Sequence, residues 1–253
     1  MVDYEVHGNV LVMTINRPEA KNAVNGEVAA GIEGGIDRLE DDPDLWIGVL
    51  ASTGDVYCAG ADLKEINSGN AAALMTQRGG FGGIVYRERR KPIIAAVDGL
   101  ATAGGCEIVL ACDLVVASTR AAFGLAEVKR NLVAGAGGLF RLPRVLPPNI
   151  AMEAILTATP IPAERAHQFG MVNRLTEPGE ALDGALALAG EITENAPVAV
   201  WASRGVAKAA VATGEDELKK ATDQAFGEVL SSEDTKEGLT AFIEKRKPNW
   251  SGR

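Results

Sequence analysis

Ile93-Ile94-Ala95-Ala96-Val97-Asp98-Gly99-Leu100-Ala101-Thr102-Ala103-Gly104-Gly105-Cys106-Glu107 is the stretch on which the fold turns. Its opening apolar run, Ile93 to Val97, is too continuous for an exposed edge strand and predicts a strand buried inside an α/β sheet. Asp98-Gly99 supplies turn chemistry, and Gly104-Gly105 lets the backbone bend sharply and open a helix near Gly104. A helix N-terminus offers free N–H groups and a positive dipole end, suited to an anion or to a carbonyl oxygen gaining negative charge. Cys58-Ala59-Gly60-Ala61-Asp62-Leu63-Lys64-Glu65 repeats the arrangement after the apolar run Ile47 to Ala51. The two turns can aim one N–H each at a single oxygen, or they can be ordinary strand-to-helix turns.

Outward from this stretch, Val10 to Ile15 and Leu114 to Ala117 read as further buried strands, and Val172 to Leu175 as a late one. Asn25 to Leu39 carries Val28, Ala29, Ile32, Ile36 and Leu39 at helical spacing. Ala71 to Arg90 is predicted helical, against the cost of Gly79, Gly80, Gly82 and Gly83. After Arg141 the pattern turns helical: Ile150 to Thr157, Pro162 to Phe169, Pro178 to Asn195, Pro197 to Ala212, Gly214 to Leu230 and Ser232 to Lys245. The expected organisation is an α/β core over residues 1–195 and a helical module over 196–253, packed on its own core or on a neighbouring subunit.

Charge and composition restrict the chemistry. The 253 residues carry 25 Lys+Arg against 34 Asp+Glu, a net charge of −9, which argues against nucleic acid as a partner. No uncharged apolar run approaches the roughly 20 residues that span a bilayer, so no membrane partner is expected. The first residues lack a basic n-region and a long apolar segment, and a reducing, cytoplasmic setting is expected. Cys58, Cys106 and Cys112 form neither a disulfide framework nor a CxxC pair, and no HExxH occurs, so no metal site is expected. GxSxG, GxGxxG and GxxxxGK[ST] are also missing.

His7 and His167 read as structural or surface residues, which leaves carboxylates for proton transfer. Glu107 precedes the apolar Ile108-Val109-Leu110, and Glu127 follows Phe123-Gly124-Leu125-Ala126. A carboxylate in apolar surroundings has its pKa raised into a useful range, and two such groups can share one water. Each also fits a half-exposed salt bridge.

Taken together, several segments resemble the enoyl-CoA hydratase/isomerase, or crotonase, superfamily. They are Asn16 to Ala23, Cys58 to Glu65, Pro92 to Gly99, Gly104 to Glu107 with Cys112-Asp113, Phe123-Gly124 with Glu127, Gly135 to Gly138 with Arg141-Leu142, and Ala241 to Arg246. They stand in the family's order across nearly the whole chain.

The resemblance implies a crotonase-like ββα spiral core with a helical C-terminal trimerisation module, and hydration of a 2-enoyl-CoA. Ala61 and Gly104 match the oxyanion-hole residues; Glu107 matches the base on water, and Glu127, twenty positions on, the acid at C2. Lys21, Ala23, Ala59, Asp62, Leu63 and Lys64 match the stretches along CoA. Gly135 matches the glycine-rich helix start beside the catalytic water. No cofactor is implied beyond the CoA of the substrate itself, and self-association as a trimer or a dimer of trimers is. Isomerisation, a carnitinyl-CoA-like dehydration, thioester hydrolysis and non-catalytic acyl-CoA binding use the same frame and stay open. Ala126 stands where the family often has Pro. Arg87-Glu88-Arg89-Arg90-Lys91 is expected as a solvated helix end or as an attractor of CoA phosphates, and Lys245-Arg246-Lys247 as a solvated tail or a contact for the adenine end of CoA.

Overall fold

The computed structural model describes residues 1–211 and 213–253. The chain begins with a hairpin, β1 (Val2–His7) and β2 (Val10–Ile15), followed by α1 (Gly26–Asp41) and β3 (Ile47–Ser52). Asn25 caps α1: its side chain accepts from the Val28 N–H at 2.9 Å, a contact that typically contributes about 1 kcal/mol. Its expected apolar face, Val28, Ala29, Ile32, Ile36 and Leu39, is fully buried.

A short helix α2 (Leu63–Asn67) and a small hairpin, β4 (Met75–Thr76) and β5 (Gly80–Phe81), come next. They lead into β6 (Ile93–Val97), β7 (Leu100–Thr102), α3 (Gly104–Ala111), β8 (Leu114–Ser118) and β9 (Ala122–Gly124). The remainder is α4 (Gly138–Val145), α5 (Pro148–Thr157), β10 (Ile161–Pro162), α6 (Ala163–Gln168), β11 (Arg174–Thr176), α7 (Ala181–Thr193), α8 (Pro197–Ala209), α9 (Glu215–Ser231) and α10 (Glu233–Glu244). The expected helix end at Ala212 lies outside the described residues.

Six strands form the large sheet in the order β1-β2-β3-β6-β8-β11, parallel from β2 onward. A second sheet has the order β10-β9-β7, with β7 and β9 parallel. β6 passes into β7 through Asp98-Gly99, and β8 into β9 through Thr119 to Ala121, so each buried strand hands the chain to the small sheet before a helix begins. An isolated parallel bridge, Cys58 to Ala101, brings the segment after β3 onto that sheet too. The result is a ββα spiral whose repeat is geometric, which is why uneven spacing in the sequence does not reveal it. All three small-sheet segments run the same way. The chain therefore leaves each of them at one shared edge: Ala61 and α2 after the first, Gly104 and α3 after the second, Glu127 after the third.

Two expectations fail here. Ala71 to Arg90 is a 3-10 turn, a hairpin and tight turns, not a helix. Gly80, Gly82 and Gly83 take positive φ, and a Cβ at Gly83 would stand 2.3 Å from the Ala29 carbonyl oxygen. Its glycines dock the segment on α1 where a helix would not fit. Arg87 to Lys91 is not a helix end, and its cations have partners within the chain. Arg87 pairs with Asp37, Arg89 is buried against Asp113 at 3.0 Å, Arg90 pairs with Glu228, and Lys91 Nζ donates to the Leu39 and Asp42 carbonyls. The predicted late strand lies two residues further on, at Arg174–Thr176.

α8 packs on the chain's own core. Trp201 of α8 is buried and donates its indole N–H to the Trp46 carbonyl at 2.9 Å, while Arg204 bonds the Arg89 carbonyl and Asp113. Asp234 at the start of α10 is buried and accepts from Ser251 and Gly252, pinning the C-terminal residues. Arg246 of the basic tail is paired with Glu237 and Glu244.

Candidate active site

The turns before α2 and α3 meet at the edge of the small sheet. Thr102 N–H donates to the Cys58 carbonyl at 3.0 Å, and Val24 pairs with Ala61. A Cβ on Gly60, which sits at φ +91°, would stand 3.0 Å from the Gly104 nitrogen. Gly60 is thus packed against Gly104, which leaves Ala61 one residue from that contact. Gly104 is the first residue of α3, where N–H groups have no intrahelical acceptor and the helix dipole is positive.

Ala103, between β7 and α3, is held at φ 51°, ψ −128°, a conformation that L-residues enter only under strain. Its N–H is fixed by the Gly124 carbonyl at 2.8 Å. The strain lies immediately before the Gly104 N–H and fixes its direction. Ala103→Gly is expected to relieve about 1 kcal/mol and raise the melting temperature by a few degrees, while kcat falls because the turn gains freedom. Calorimetry beside turnover checks this; a lower melting temperature would contradict the strain.

Glu107 lies one turn into α3 and is 3% exposed. Its Oε1 accepts the N–H groups of Ala136 at 2.7 Å and Gly138 at 2.9 Å, at the start of α4. Burial raises its pKa, the Gly138 N–H works against this, Glu127 raises it further, the Ala136 N–H lowers it again, and the result is about 7. One carboxylate oxygen is thereby anchored and the other left for chemistry. Gly138 is needed for close approach: a Cβ there would fall 2.8 Å from the Leu125 side chain and 3.1 Å from Glu107 Cγ.

Glu127 opens a 3-10 turn, Glu127–Arg130, directly after Ala126. Its Oε2 is buried and makes no hydrogen bond to the described residues. Burial again raises its pKa, opposed by its own backbone N–H and by Arg130. The charge of Glu127 is among the influences that raise the Glu107 pKa. The Ala126 departure leaves Glu127 within electrostatic reach of Glu107.

The expected CoA-side residues gather on one flank. Ala59 N–H donates to the Lys21 carbonyl at 3.1 Å, and Arg17 bonds both the Ala23 carbonyl at 3.0 Å and Asp62 at 2.6 Å. Lys21, Leu63 and Lys64 are exposed there, with Ala59 partly open and Ala23 buried. Asp62 is committed: against the desolvation that raises its pKa, Arg17 and the Lys64 N–H hold its carboxyl below the ordinary range. Buried Asn22 donates to the carbonyls of Thr53 and Val56 at 2.7 and 2.8 Å, tying this flank to the end of β3.

Gly135 does not start the helix; α4 begins at Gly138 behind a left-handed Gly137. The Gly135 carbonyl accepts the Tyr86 hydroxyl at 3.1 Å, and its neighbours Ala136 and Gly138 hold Glu107. Sequence reasoning chose the run and missed the residues. The signal was available: a glycine run opening a helix presents consecutive N–H groups, whatever side chains it carries. Arg17 and Asn22 were missed as well, since nothing local marks their distant partners. Neither histidine reaches the site. His167 bonds the Val172 carbonyl and His7 lies beside Glu5. Burial pushes Cys58 up to about 12 and Cys106 higher, so both thiols are inert. Among the described residues no His, Cys, Asp and Glu cluster is arranged to hold a metal ion.

Comparison with known proteins agrees with this architecture. The family model described as enoyl-CoA hydratase/isomerase matches residues 5–253. The crystal structure of an enoyl-CoA hydratase from Mycobacterium tuberculosis superposes with a TM-score of 0.95 at 46% identity, covering 100% of this chain and 99% of the other. A short-chain-enoyl-CoA hydratase from Clostridium acetobutylicum is 39% identical over 96% of this chain and 94% of its own length. A carnitinyl-CoA dehydratase from Salmonella arizonae is 36% identical over 97% and 96%. The fold is that of crotonases, and the chain belongs to the enoyl-CoA hydratase/isomerase family.

Proposed function

We propose that the protein is a 2-enoyl-CoA hydratase that reversibly adds water across the C2=C3 double bond of an acyl-CoA thioester. The observation that carries this reading is Glu107, a buried carboxyl anchored by the Ala136 and Gly138 N–H groups, within electrostatic reach of Glu127 and one turn from the Gly104 N-terminus. Hydration places negative charge on the thioester oxygen as an enolate, and the Ala61 and Gly104 N–H groups are the donors to hold it. Glu107 takes a proton from water as oxygen bonds to C3, and Glu127 gives its proton to C2. The roles exchange for dehydration. The chemistry needs no redox or Lewis-acid group, so CoA enters only as part of the substrate.

Lys21 and Lys64, exposed on the flank beside Ala59, Ala23 and Leu63, are the local positive charges through which an acidic protein would receive polyanionic CoA. Asp62 and Gly135 would contribute position, through the Arg17 pair and the Tyr86 hydroxyl. For self-association as a trimer or dimer of trimers, the support is apolar surface on α9 and α10, where Phe226, Leu230 and Leu239 are exposed and Phe242 and Ile243 reach 85% and 78%. A cytoplasmic setting completes the proposal.

The test is loss of the 2-enoyl absorbance on crotonyl-CoA and longer 2-enoyl-CoAs, with light scattering on the same sample. Turnover by an associated species is expected. Tight ester binding without turnover at any chain length would favour an acyl-CoA-binding protein instead.

A further inference from the structure

A cavity of about 630 Å³ lies next to the proposed site and is not used by the chemistry of hydration. Leu110 and Ala111 of α3 form one wall. They stand three and four residues after Glu107, and that spacing puts all three side chains on one helix face. Ala111 is about 10 Å along the axis from Gly104 at roughly 1.5 Å per residue. The cavity therefore continues the line from the thioester turn past Glu107. The border between the two is formed by the Gly135–Ala136 backbone, whose carbonyls accept the Tyr86 hydroxyl and the Arg141 guanidinium, with Arg141 also bonded to the Val85 carbonyl.

The far wall is cationic. Arg144 and Lys208 line it and have no carboxylate partner among the described residues, and Arg141 bonds only backbone carbonyls. Arg204 and Arg87 are already paired, with Asp113 and Asp37. The opposing charge in the lining is Asp113, spent on Arg89 and Arg204, and the exposed Glu88. Lys208 reports the imbalance. Partial burial, together with Arg89 and Arg204, pushes its ammonium down to about 8. A cluster that suppresses its own charge gains from an anion placed in it.

The geometry points to a specificity pocket: this cavity receives the far end of the acyl group, and Lys208 and Arg144 select acyl chains that end in a carboxylate. The inference rests on the hydratase reading for its position and deepens it to a substrate class, the CoA monothioesters of 2-unsaturated dicarboxylic acids. Neither side chain is placed at the reacting atoms.

The experiment compares the CoA monothioester of trans-2-octenedioic acid with trans-2-octenoyl-CoA, equal in carbon number, and with crotonyl-CoA. Wild type is expected to favour the carboxylated ester by tenfold or more in kcat/KM. Lys208→Met and Arg144→Gln should each remove most of that preference through KM, with kcat and crotonyl-CoA turnover unchanged, and Lys208→Arg should restore it. Equal kcat/KM for the two eight-carbon esters in the wild type overturns the pocket, as does a variant that weakens both esters alike. Failure of the hydratase reading shows separately, as absence of crotonyl-CoA hydration. Calorimetric titration of the two eight-carbon esters then decides: a Lys208-dependent tenfold preference in Kd supports the pocket, and equal Kd values overturn it.

Discussion

Glu107→Gln is expected to reduce hydration by at least 10² to 10⁴-fold, the usual range for a lost general base, while making the fold more stable at pH 8. Glutamine keeps the carbonyl oxygen that accepts from Ala136 and Gly138 but cannot take a proton from water. The stability gain comes from the same burial. Folding raises the Glu107 pKa from 4.5 to about 7, so the fold favours the protonated form. That contribution is present below about pH 4.5 and is lost as pH rises through 7. Above 7 the ionised carboxylate opposes folding by about 3 kcal/mol, and a neutral amide removes the penalty. Thermal unfolding at pH 8 should show a rise of several degrees, shrinking as pH falls toward 5. In the wild type, kcat/KM for hydration should fall on the acid side with a midpoint near 7. A flat acid limb, or a variant less stable at pH 8, would contradict the assignment of Glu107 as a buried, ionisable base.

Gly105→Ala should be severely damaging despite adding a single methyl group. A Cβ there would stand 2.1 Å from the Cys58 carbonyl oxygen and 2.8 Å from Cys58 Cβ. The obstacle is backbone, so no rotamer relieves it. Relief means moving α3 off Cys58, which breaks the Thr102-to-Cys58 bond and the Cys58-Ala101 bridge that set Gly60 against Gly104. Losing one of the two donors costs about 2.7 to 4 kcal/mol of barrier, or 10² to 10³ in kcat, and the displaced contacts should cost about 1 to 3 kcal/mol of stability. Gly190→Ala is the control. It lies on an exposed part of α7 with nothing within 4 Å of its Cβ, and should be neutral or stabilising by up to about 1 kcal/mol. Steady-state turnover and denaturant melts of the two variants side by side separate the cases; parent-like turnover in Gly105→Ala would disprove the close approach.

Legibility in the sequence followed the range of the interactions. The buried strands and α1 were readable because burial on both faces and a 3.6-residue period are local signals. Glu107 and Glu127 were readable as carboxylates in apolar surroundings. Ala71 to Arg90 was misread because helical composition there yields to contacts with α1, which lie some fifty residues away in sequence. Arg89 and Lys91 looked solvated because their partners, Asp113 and the end of α1, lie well outside any local window. Ala136 and Gly138 escaped because a glycine run marks where N–H groups come free but not which of those backbone N–H groups meet a distant side chain.

That last point bears on how such a site can change. Glu107 is held in place by two peptide N–H groups, and a codon change cannot delete a peptide N–H except by introducing proline. Side chains around the acyl cavity, Lys208 and Arg144 among them, carry no such protection. Mutational drift can therefore retune which acyl group is accepted while the proton-transfer apparatus stays intact, and substrate choice and reaction type are separately heritable in this fold.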